Sequence, residues 1–323
     1  MSELHKFLFD GLPVRGMLVR LTDSWTEILA RRAANGDTGA YPAPVRELLG
    51  EMAAAGALMQ SNIKFNGALI LQVFGDGPVK VAVAEVQPDL GLRATATVVG
   101  EVPEGAGLAD LVNVHNQGRC AITLDPKDRL PGQQPYQGVV PLFGDRHERL
   151  RHLSEVLEHY MLQSEQLDTR LVLAADDRVA CGLLIQRLPT EGEKNLGSTE
   201  EGIGRSEDYH RIATLAASLT REELLTLDAD TILHRLFWEE KLLRFEPLTG
   251  DTGPRFHCTC SRDRVAGMIR SLGRDEAESI LAERADIEVG CDFCGQQYRF
   301  DAVAAARLFT APGDQPPVNR TVQ

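Results

Sequence analysis

Hydrophobic positions along the first 188 residues alternate between strand-like and helix-like spacing. Two apolar runs, Leu69–Phe74 and Val79–Val86, flank the turn sequence GDGP and predict a β-hairpin. Helical spacing predicts helices over Ala43–Met59 and His147–Gln163. Further strands are predicted at Ala94–Val99, Cys120–Leu124, Tyr136–Leu142, Arg170–Ala175 and Val179–Gln186. We therefore expect an α+β fold in which residues 1–188 form a core of mostly antiparallel sheet packed with helices.

The pattern changes after residue 188. Residues 189–208 are rich in glycine and acidic residues and lack aromatic side chains, which predicts a mobile linker. Three short helices are then indicated by an apolar face at Ile212, Leu215 and Leu219, by the capping pair Thr220 and Glu223, and by Asp228 or Asp230 ahead of Ile232–Glu240. Isolated helices of this length are marginal in water. We therefore expect residues 189–256 to be a metastable helical linker that keeps its shape only by docking elsewhere.

Four of the six cysteines lie in two close pairs near the end of the chain. Cys258 and Cys260 form a C-x-C pair, and Cys291 and Cys294 form a C-x-x-C pair followed by Gly295. Four thiolates are a common ligand set for structural Zn²⁺, and they leave no open position for a catalytic water. We therefore predict one four-thiolate zinc site in a small domain at residues 257–309. His257 is a less favoured alternative ligand.

Two short helices are predicted between the cysteine pairs, so that the chain can return and bring the pairs together. The first is capped by Ser261, ends at Gly273, and is expected to bury Val265, Met268, Ile269 and Leu272. The second covers Asp275–Arg284, with Ala277, Ile280 and Leu281 facing inward. The tail, residues 310–323, is rich in proline and polar residues and is predicted to be disordered.

Close cysteine pairs also permit redox chemistry. Thiolates are the form that oxidants attack, and a sulfenic acid on one cysteine can be resolved by a neighbour two or three residues away. Oxidation of both pairs would leave no ligand set, and a small domain that depends on zinc would unfold. From the residues alone, a redox switch and an inert zinc site both remain possible.

Composition and charge narrow the function classes. The 323-residue chain is 43% hydrophobic and carries a formal charge of −13, which argues against binding nucleic acid or anionic membranes through bulk charge. The N-terminal sequence lacks a signal-peptide pattern, and no apolar run is long enough to span a membrane. We therefore expect a cytoplasmic protein, in which clustered cysteines indicate a metal or redox site rather than permanent disulfides.

The chain shows no motif typical of an enzyme. Histidine ligand patterns, nucleophile elbows and phosphate-binding loops are missing from the sequence. Cys120 and Cys181 lie in apolar strand candidates and are predicted to be buried core thiols. We therefore expect a binding protein under redox control rather than an enzyme.

The residues resemble the family of redox-regulated chaperones called heat-shock protein 33, or 33 kDa chaperonin. The segments CTCSRDR and ILAERADIEVGCDFCGQQYRF resemble its zinc domain, and other segments resemble the family in the same order along residues 4–305. These are VRGMLVRLTDSWTEIL, YPAPVRELLGE, IKFNGALILQVFGDGPVKVAV, YQGVVPL, YMLQSEQLDTRLVL and TREELLTL. The chain departs from the family at Asp168, where a proline is expected, in extra residues before YQGVV and in a longer acidic linker.

The resemblance implies a stress-response chaperone that uses no ATP. It implies that the reduced form binds Zn²⁺ through Cys258, Cys260, Cys291 and Cys294 and is inactive. It further implies that oxidation forms the disulfides Cys258–Cys260 and Cys291–Cys294, releases zinc, unfolds the linker and produces a homodimer. The activated form would bind unfolded or oxidatively damaged proteins and prevent their aggregation.

Two other functions are compatible with the cysteine pattern. The first is a constitutive zinc-ribbon interaction protein that binds nucleic acid through a local basic face. Its candidate residues are Arg255, Arg262, Arg264, Arg270, Arg274 and Arg299. The second is a thiol–disulfide oxidoreductase, although no thioredoxin-like βαβ pattern precedes Cys291.

Overall fold

The computed structural model describes residues 1–35, 39–128, 132–189 and 207–310. The strands are β1 (Glu3–Phe9), β2 (Val14–Leu21), β3 (Gly67–Phe74), β4 (Val79–Val86), β5 (Gly91–Val98), β6 (Arg119–Pro126), β7 (Tyr136–Pro141), β8 (Thr169–Ala175), β9 (Ala180–Arg187), β10 (Leu242–Arg244), β11 (Leu248–Thr249), β12 (Arg255–Phe256), β13 (Asp286–Gly290) and β14 (Gln297–Asp301). The helices are α1 (Asp23–Ala33), α2 (Ala43–Asn62), α3 (Leu108–Val112), α4 (Leu153–Glu165), α5 (Glu207–Ala217), α6 (Arg221–Thr226), α7 (Ala229–Phe237), α8 (Arg262–Leu272), α9 (Arg274–Glu283) and α10 (Ala302–Leu308). The chain divides into two compact units, Met1–His257 and Cys258–Gln323.

The first unit contains two six-stranded sheets. One has the order β10-β1-β2-β9-β8, with β11 also paired to β1, and the other has the order β12-β5-β4-β3-β6-β7. Strand β12 runs parallel to β5, and the other described pairings in these sheets are antiparallel. The prediction of an α+β fold with mostly antiparallel sheet is confirmed.

Helix α2 lies between the two sheets and organises the larger core. It is apolar around most of its circumference, and small residues on it allow both sheets to approach closely. A Cβ added at Gly50 would lie 2.4 Å from the Cβ of Ala175 in the first sheet. A Cβ added at Gly56 would lie 3.0 Å from a methyl carbon of Val86 in the second sheet. The two sheets therefore share one core around this helix.

Helices α5, α6 and α7 pack on the other face of the first sheet. Their apolar side chains form a second cluster with residues of β1, β2, β8 and β9. The ring of Phe237 in α7 meets that of Phe9 in β1 edge-on, with 5.0 Å between centroids. Ile212 and Leu219 are buried as predicted, but Leu215 is 36% exposed because it lies on the far side of α5. The prediction that these helices dock is confirmed.

Polar contacts reinforce this docking at α6. Arg20 of β2 donates hydrogen bonds to the carbonyl oxygens of Leu224 (2.7 Å) and Leu225 (3.2 Å), in the last turn of the helix. Arg221 of α6 in turn donates to the carbonyl oxygen of Ala175 in β8 (2.6 Å) and pairs with Glu47 of α2 at 3.2 Å. Carbonyls at a helix C-terminus lack partners within the helix, so the Arg20 contacts satisfy them.

The helix starts predicted from capping residues are confirmed. Thr220 and Glu223 form the expected capping box at α6, and the carboxylate of Asp228 accepts a hydrogen bond from the backbone N–H of Thr231 (2.9 Å) at α7. The predicted start at His147 is wrong, because α4 begins at Leu153. His147 has a positive φ of 62° and lies in a turn closed by a bridge between Phe143 and Arg149.

The second unit is small. It consists of α8 and α9, the hairpin β13–β14, and α10, which surround six buried apolar side chains: Ala266, Ile269, Ala277, Ile287, Phe300 and Ala305. Ser261 caps α8 and Gly273, with φ of +95°, ends it, as predicted. The predicted burial of Met268 and Leu272 is wrong, since these side chains are 46% and 52% exposed.

Two predicted segments fall largely outside the described residues. These are the mobile linker at 189–208, of which 190–206 is not described, and the tail at 310–323, of which 311–323 is not described. None of the helices in the described ranges has the length and apolar character needed to cross a bilayer.

The docked helices provide a test of the second cluster. Ile232 of α7 is fully buried there, so Ile232→Ala should cost about 2–5 kcal/mol of docking free energy. Leu215→Ala on the exposed side of α5 is the matched control and should change it by less than about 0.5 kcal/mol. Amide hydrogen exchange over residues 207–237 is the measurement. Equal exchange in the two variants would contradict the packing.

Candidate metal centre

The four paired cysteines come from two structural elements of the second unit. Cys258 and Cys260 lie in the extended segment before α8, whereas Cys291 and Cys294 lie in the turn between β13 and β14. The backbone N–H of Cys291 donates to the carbonyl oxygen of Gln296 (2.9 Å), and that of Gly295 donates to the carbonyl oxygen of Cys291 (2.8 Å). Gly295 has φ of +73°, a value that favours glycine, so the residue after the C-x-x-C pair permits the tight turn.

The four sulfurs form one cluster. All lie within 4.8 Å of one another and are half-buried. The Sγ atoms of Cys258 and Cys291 are 3.7 Å apart, and those of Cys260 and Cys294 are 3.4 Å apart. Four sulfurs at the usual Zn–S distance of about 2.3 Å in a tetrahedron are separated by about 3.8 Å. The donor set therefore fits a single tetrahedral Zn²⁺ ion, with no ligand position left for water.

Crowding of the sulfurs opposes the loss of their protons. Contact with the Cys258 sulfur, followed by burial, raises the pKa of Cys291. Burial and contact with the Cys260 and Cys258 sulfurs raise the pKa of Cys294 to about 11. Backbone N–H groups of Phe293 and Cys294 at Cys291, and of Gln296 at Cys294, favour the thiolates and act in the opposite direction. A divalent cation bound by these residues would supply the positive charge that four neighbouring thiolates require.

A tyrosine extends the cluster beyond its four sulfurs. The hydroxyl of Tyr298 in β14 donates a hydrogen bond to Cys260 Sγ at 3.1 Å. This contact raises the pKa of Tyr298 to about 12. Tyr298 is not among the residues predicted from the sequence, because its spacing of four residues from Cys294 does not indicate which cysteine the side chain reaches.

The remaining thiols lie elsewhere. Cys120 in β6 and Cys181 in β9 are fully buried, as predicted, and burial raises the pKa of each to about 12. His257, the alternative ligand, lies outside the group of four, and its backbone N–H donates to the carbonyl oxygen of Leu92 at 2.9 Å. The thiols of Cys120 and Cys181 are therefore poor targets for metals and oxidants.

The arginines that could form a basic face each have a local partner. Arg255 pairs with Asp89, Arg262 stacks 4.1 Å from the ring centre of Phe300, and Arg264 donates to the Thr259 hydroxyl (2.7 Å). Arg270 and Arg274 donate to the carbonyl oxygens of Leu308 (3.3 Å) and Phe309 (3.4 Å), and Arg299 pairs with Glu288 at 2.7 Å. These contacts indicate structural roles for the guanidinium groups.

Comparison with known proteins gives consistent matches over nearly the whole chain. The family model described as Hsp33 protein matches residues 2–301. The 33 kDa chaperonin of Chromobacterium violaceum is 45% identical over 308 residues, covering 95% of this chain and 94% of the relative. The 33 kDa chaperonin of Neisseria meningitidis serogroup A is 42% identical over 306 residues, covering 94% and 90% of the two chains.

A solved structure shows the same fold. The crystal structure of the 33 kDa chaperonin (heat shock protein 33 homolog) of Thermotoga maritima matches with a TM-score of 0.69 and 20% identity, covering 95% of this chain and 97% of that one. The family model matches nearly the whole chain, and sequence identities of 42–45% to these relatives indicate common ancestry as well as a common fold. This chain belongs to the Hsp33 family.

Proposed function

We propose that this protein is a redox-regulated holdase chaperone, in which a four-cysteine zinc centre keeps the reduced form inactive. The observation that carries the proposal is the convergence of two close cysteine pairs into one cluster of sulfurs within 4.8 Å. Family membership supports the chaperone assignment, and the names of the relatives agree with it.

Cys258, Cys260, Cys291 and Cys294 are the proposed zinc ligands. Bound Zn²⁺ would hold all four side chains as thiolates and cross-link the segment before α8 to the β13–β14 turn. The backbone N–H groups of Phe293, Cys294 and Gln296 orient the C-x-x-C sulfurs by donating to them. The ligand set is closed, so the centre has a structural role and offers no site for hydrolysis.

Oxidation by a peroxide would convert each cysteine pair from two zinc ligands into a disulfide, in two steps. One thiolate of a pair attacks a peroxide oxygen, the O–O bond breaks, and a sulfenic acid and hydroxide form; solvent protonates the hydroxide to water. The neighbouring thiolate then attacks the sulfenic sulfur, forming the S–S bond and releasing a second hydroxide, which solvent also protonates. Two peroxides convert the two pairs into the proposed disulfides Cys258–Cys260 and Cys291–Cys294. Since no thiolate then remains to hold the ion, the scheme includes release of zinc.

Loss of the ligands should unfold the second unit. Among its described residues only six apolar side chains are buried, and three of these are alanines. Domains with so small a core depend on a metal or disulfides for stability. A structural zinc site contributes on the order of 10–16 kcal/mol, which exceeds the typical stability of about 5–15 kcal/mol for a whole domain.

The helices α5–α7 are the proposed responsive segment. They are short, lie between the mobile linker predicted from the sequence and the zinc unit, and bury one face against the first sheet. Their release would expose the second apolar cluster to unfolded proteins, and burial of that cluster between two copies would account for a homodimer. Exposed apolar surface of this kind binds clients without ATP. A cytoplasmic location would keep the cysteines reduced until oxidative stress occurs.

Ligand substitution tests the zinc assignment. Cys258→Ser and Cys291→Ser should each reduce bound zinc from about one ion per chain to a small fraction, because a hydroxyl is a poor replacement for a thiolate. Metal content of the purified full-length protein is the measurement. Cys120→Ala and Cys181→Ala are the controls and should retain zinc and the redox response. Normal zinc content in both serine variants would refute the assignment.

The raised thiol pKa values predict a pH dependence. Each thiol must lose a proton before it can bind the ion, and the pKa of Cys294 is about 11. Apparent zinc affinity should therefore fall as pH decreases from about 8 to about 6, because protons compete more strongly for the sulfurs. Competition with a chelator of known pH dependence measures this. An affinity that does not change over this range would contradict thiolate ligation.

An activation assay tests the chaperone mechanism. Zinc-loaded protein is treated with hydrogen peroxide at mild heat, and zinc release, disulfide mapping and suppression of client aggregation are followed together. We expect suppression to appear as zinc is released and the two local disulfides form. Zinc release without any gain in suppression would disprove the redox-chaperone proposal. Turnover of a dithiol substrate would indicate an oxidoreductase, and tight, salt-sensitive nucleic-acid binding would indicate a zinc ribbon.

A further inference from the structure

Tyr298 connects the two cysteine pairs through a side chain. It lies in β14, opposite Val289 of β13, on the hairpin whose turn holds Cys291 and Cys294. Its hydroxyl nevertheless reaches Cys260 of the other pair, 38 positions earlier in the chain, with 3.1 Å between oxygen and sulfur. The contact therefore joins the hairpin to the first cysteine pair independently of any ion.

The hydrogen bond has a defined direction. A phenolic O–H is a donor, and a thiol or thiolate sulfur accepts. Donation to a sulfur stabilises its negative charge and orients its lone pairs, which is the usual contribution of groups just outside a metal's ligands. The same donation withdraws electron density from the sulfur lone pairs, which makes the sulfur a weaker nucleophile.

The donors at the other pair are of a different kind. Cys291 receives backbone N–H groups of Phe293 and Cys294, and Cys294 receives that of Gln296. These donors belong to the turn itself and persist through side-chain substitution. At Cys260 the donor is a side chain, which can be removed by changing one atom.

We propose that Tyr298 is a positioning residue of the metal centre: its hydroxyl holds Cys260 Sγ in the ligand position and slows the attack of that sulfur on electrophiles. This inference rests on the proposed zinc centre for its effect on affinity. Its effect on the reactivity of Cys260 requires only the hydrogen bond.

Tyr298→Phe is the test, because it deletes the hydroxyl and keeps the ring that packs against the small core of the second unit. Tyr136→Phe, at an exposed tyrosine in β7, is the matched control. Full-length protein is loaded with zinc, and affinity is measured by chelator competition. Alkylation of each cysteine by iodoacetamide is followed by peptide mass spectrometry. We expect about 10-fold weaker zinc binding in Tyr298→Phe. With alkylation measured at saturating zinc, we expect faster alkylation of Cys260 alone.

The pattern across the four cysteines separates positioning from loosening of the fold. Equal acceleration at all four sulfurs would overturn the proposal, because it would indicate a merely structural role for Tyr298. Unchanged zinc affinity and unchanged Cys260 reactivity would also overturn it. If the wild-type protein bound no zinc, the proposed function would fail. A selective change at Cys260 in the same variant would then still support the hydrogen bond.

Discussion

The contact of four cysteine sulfurs is the constraint that joins distant segments of the C-terminal unit. Six apolar side chains are buried among the described residues of this unit, and so small a core contributes little against the conformational entropy of ordering helices and a hairpin. The sulfurs of Cys258 and Cys291, 3.7 Å apart, and of Cys260 and Cys294, 3.4 Å apart, provide the geometry for that link. The pKa values of Cys291 and Cys294 are raised, so a bound cation would be needed to hold these side chains as thiolates. In the proposed function, a unit held together by thiolates would be open to control by oxidants.

The first unit, by contrast, is organised around a large apolar core. Helix α2 is buried between two sheets, with Gly50 and Gly56 admitting a close approach on either side. Helices α5–α7 are intermediate, because each is short and buries one face on the first sheet. Arginine contacts at α6 add to that docking. The chain therefore combines a large core, short docked helices and a small unit that contains the four sulfurs, an order that suits the proposed conditional release of apolar surface.

Features that depend on neighbouring residues were predicted well. The caps at Thr220, Asp228 and Ser261 use hydrogen bonds spanning three residues, so sequence spacing was sufficient to locate them. Features that depend on distant partners were predicted less well. Helix α4 starts at Leu153 rather than His147, because the preceding residues close a turn through the Phe143–Arg149 bridge. Met268 and Leu272 have helical spacing typical of a buried face, but the small second unit leaves them exposed.

The sequence by itself determined the mostly antiparallel α+β class, the resemblance to the Hsp33 family and the two cysteine pairs that form the candidate metal centre. Residue spacing carries these signals, because strand alternation, helix periodicity and close cysteine pairs are local properties. Tertiary structure alone decided that α2 lies between two sheets, that α5–α7 bury their apolar faces on the first of them, and that Tyr298 reaches Cys260. Each of these is a contact between segments far apart in the chain, and its geometry arises from packing that no local pattern records.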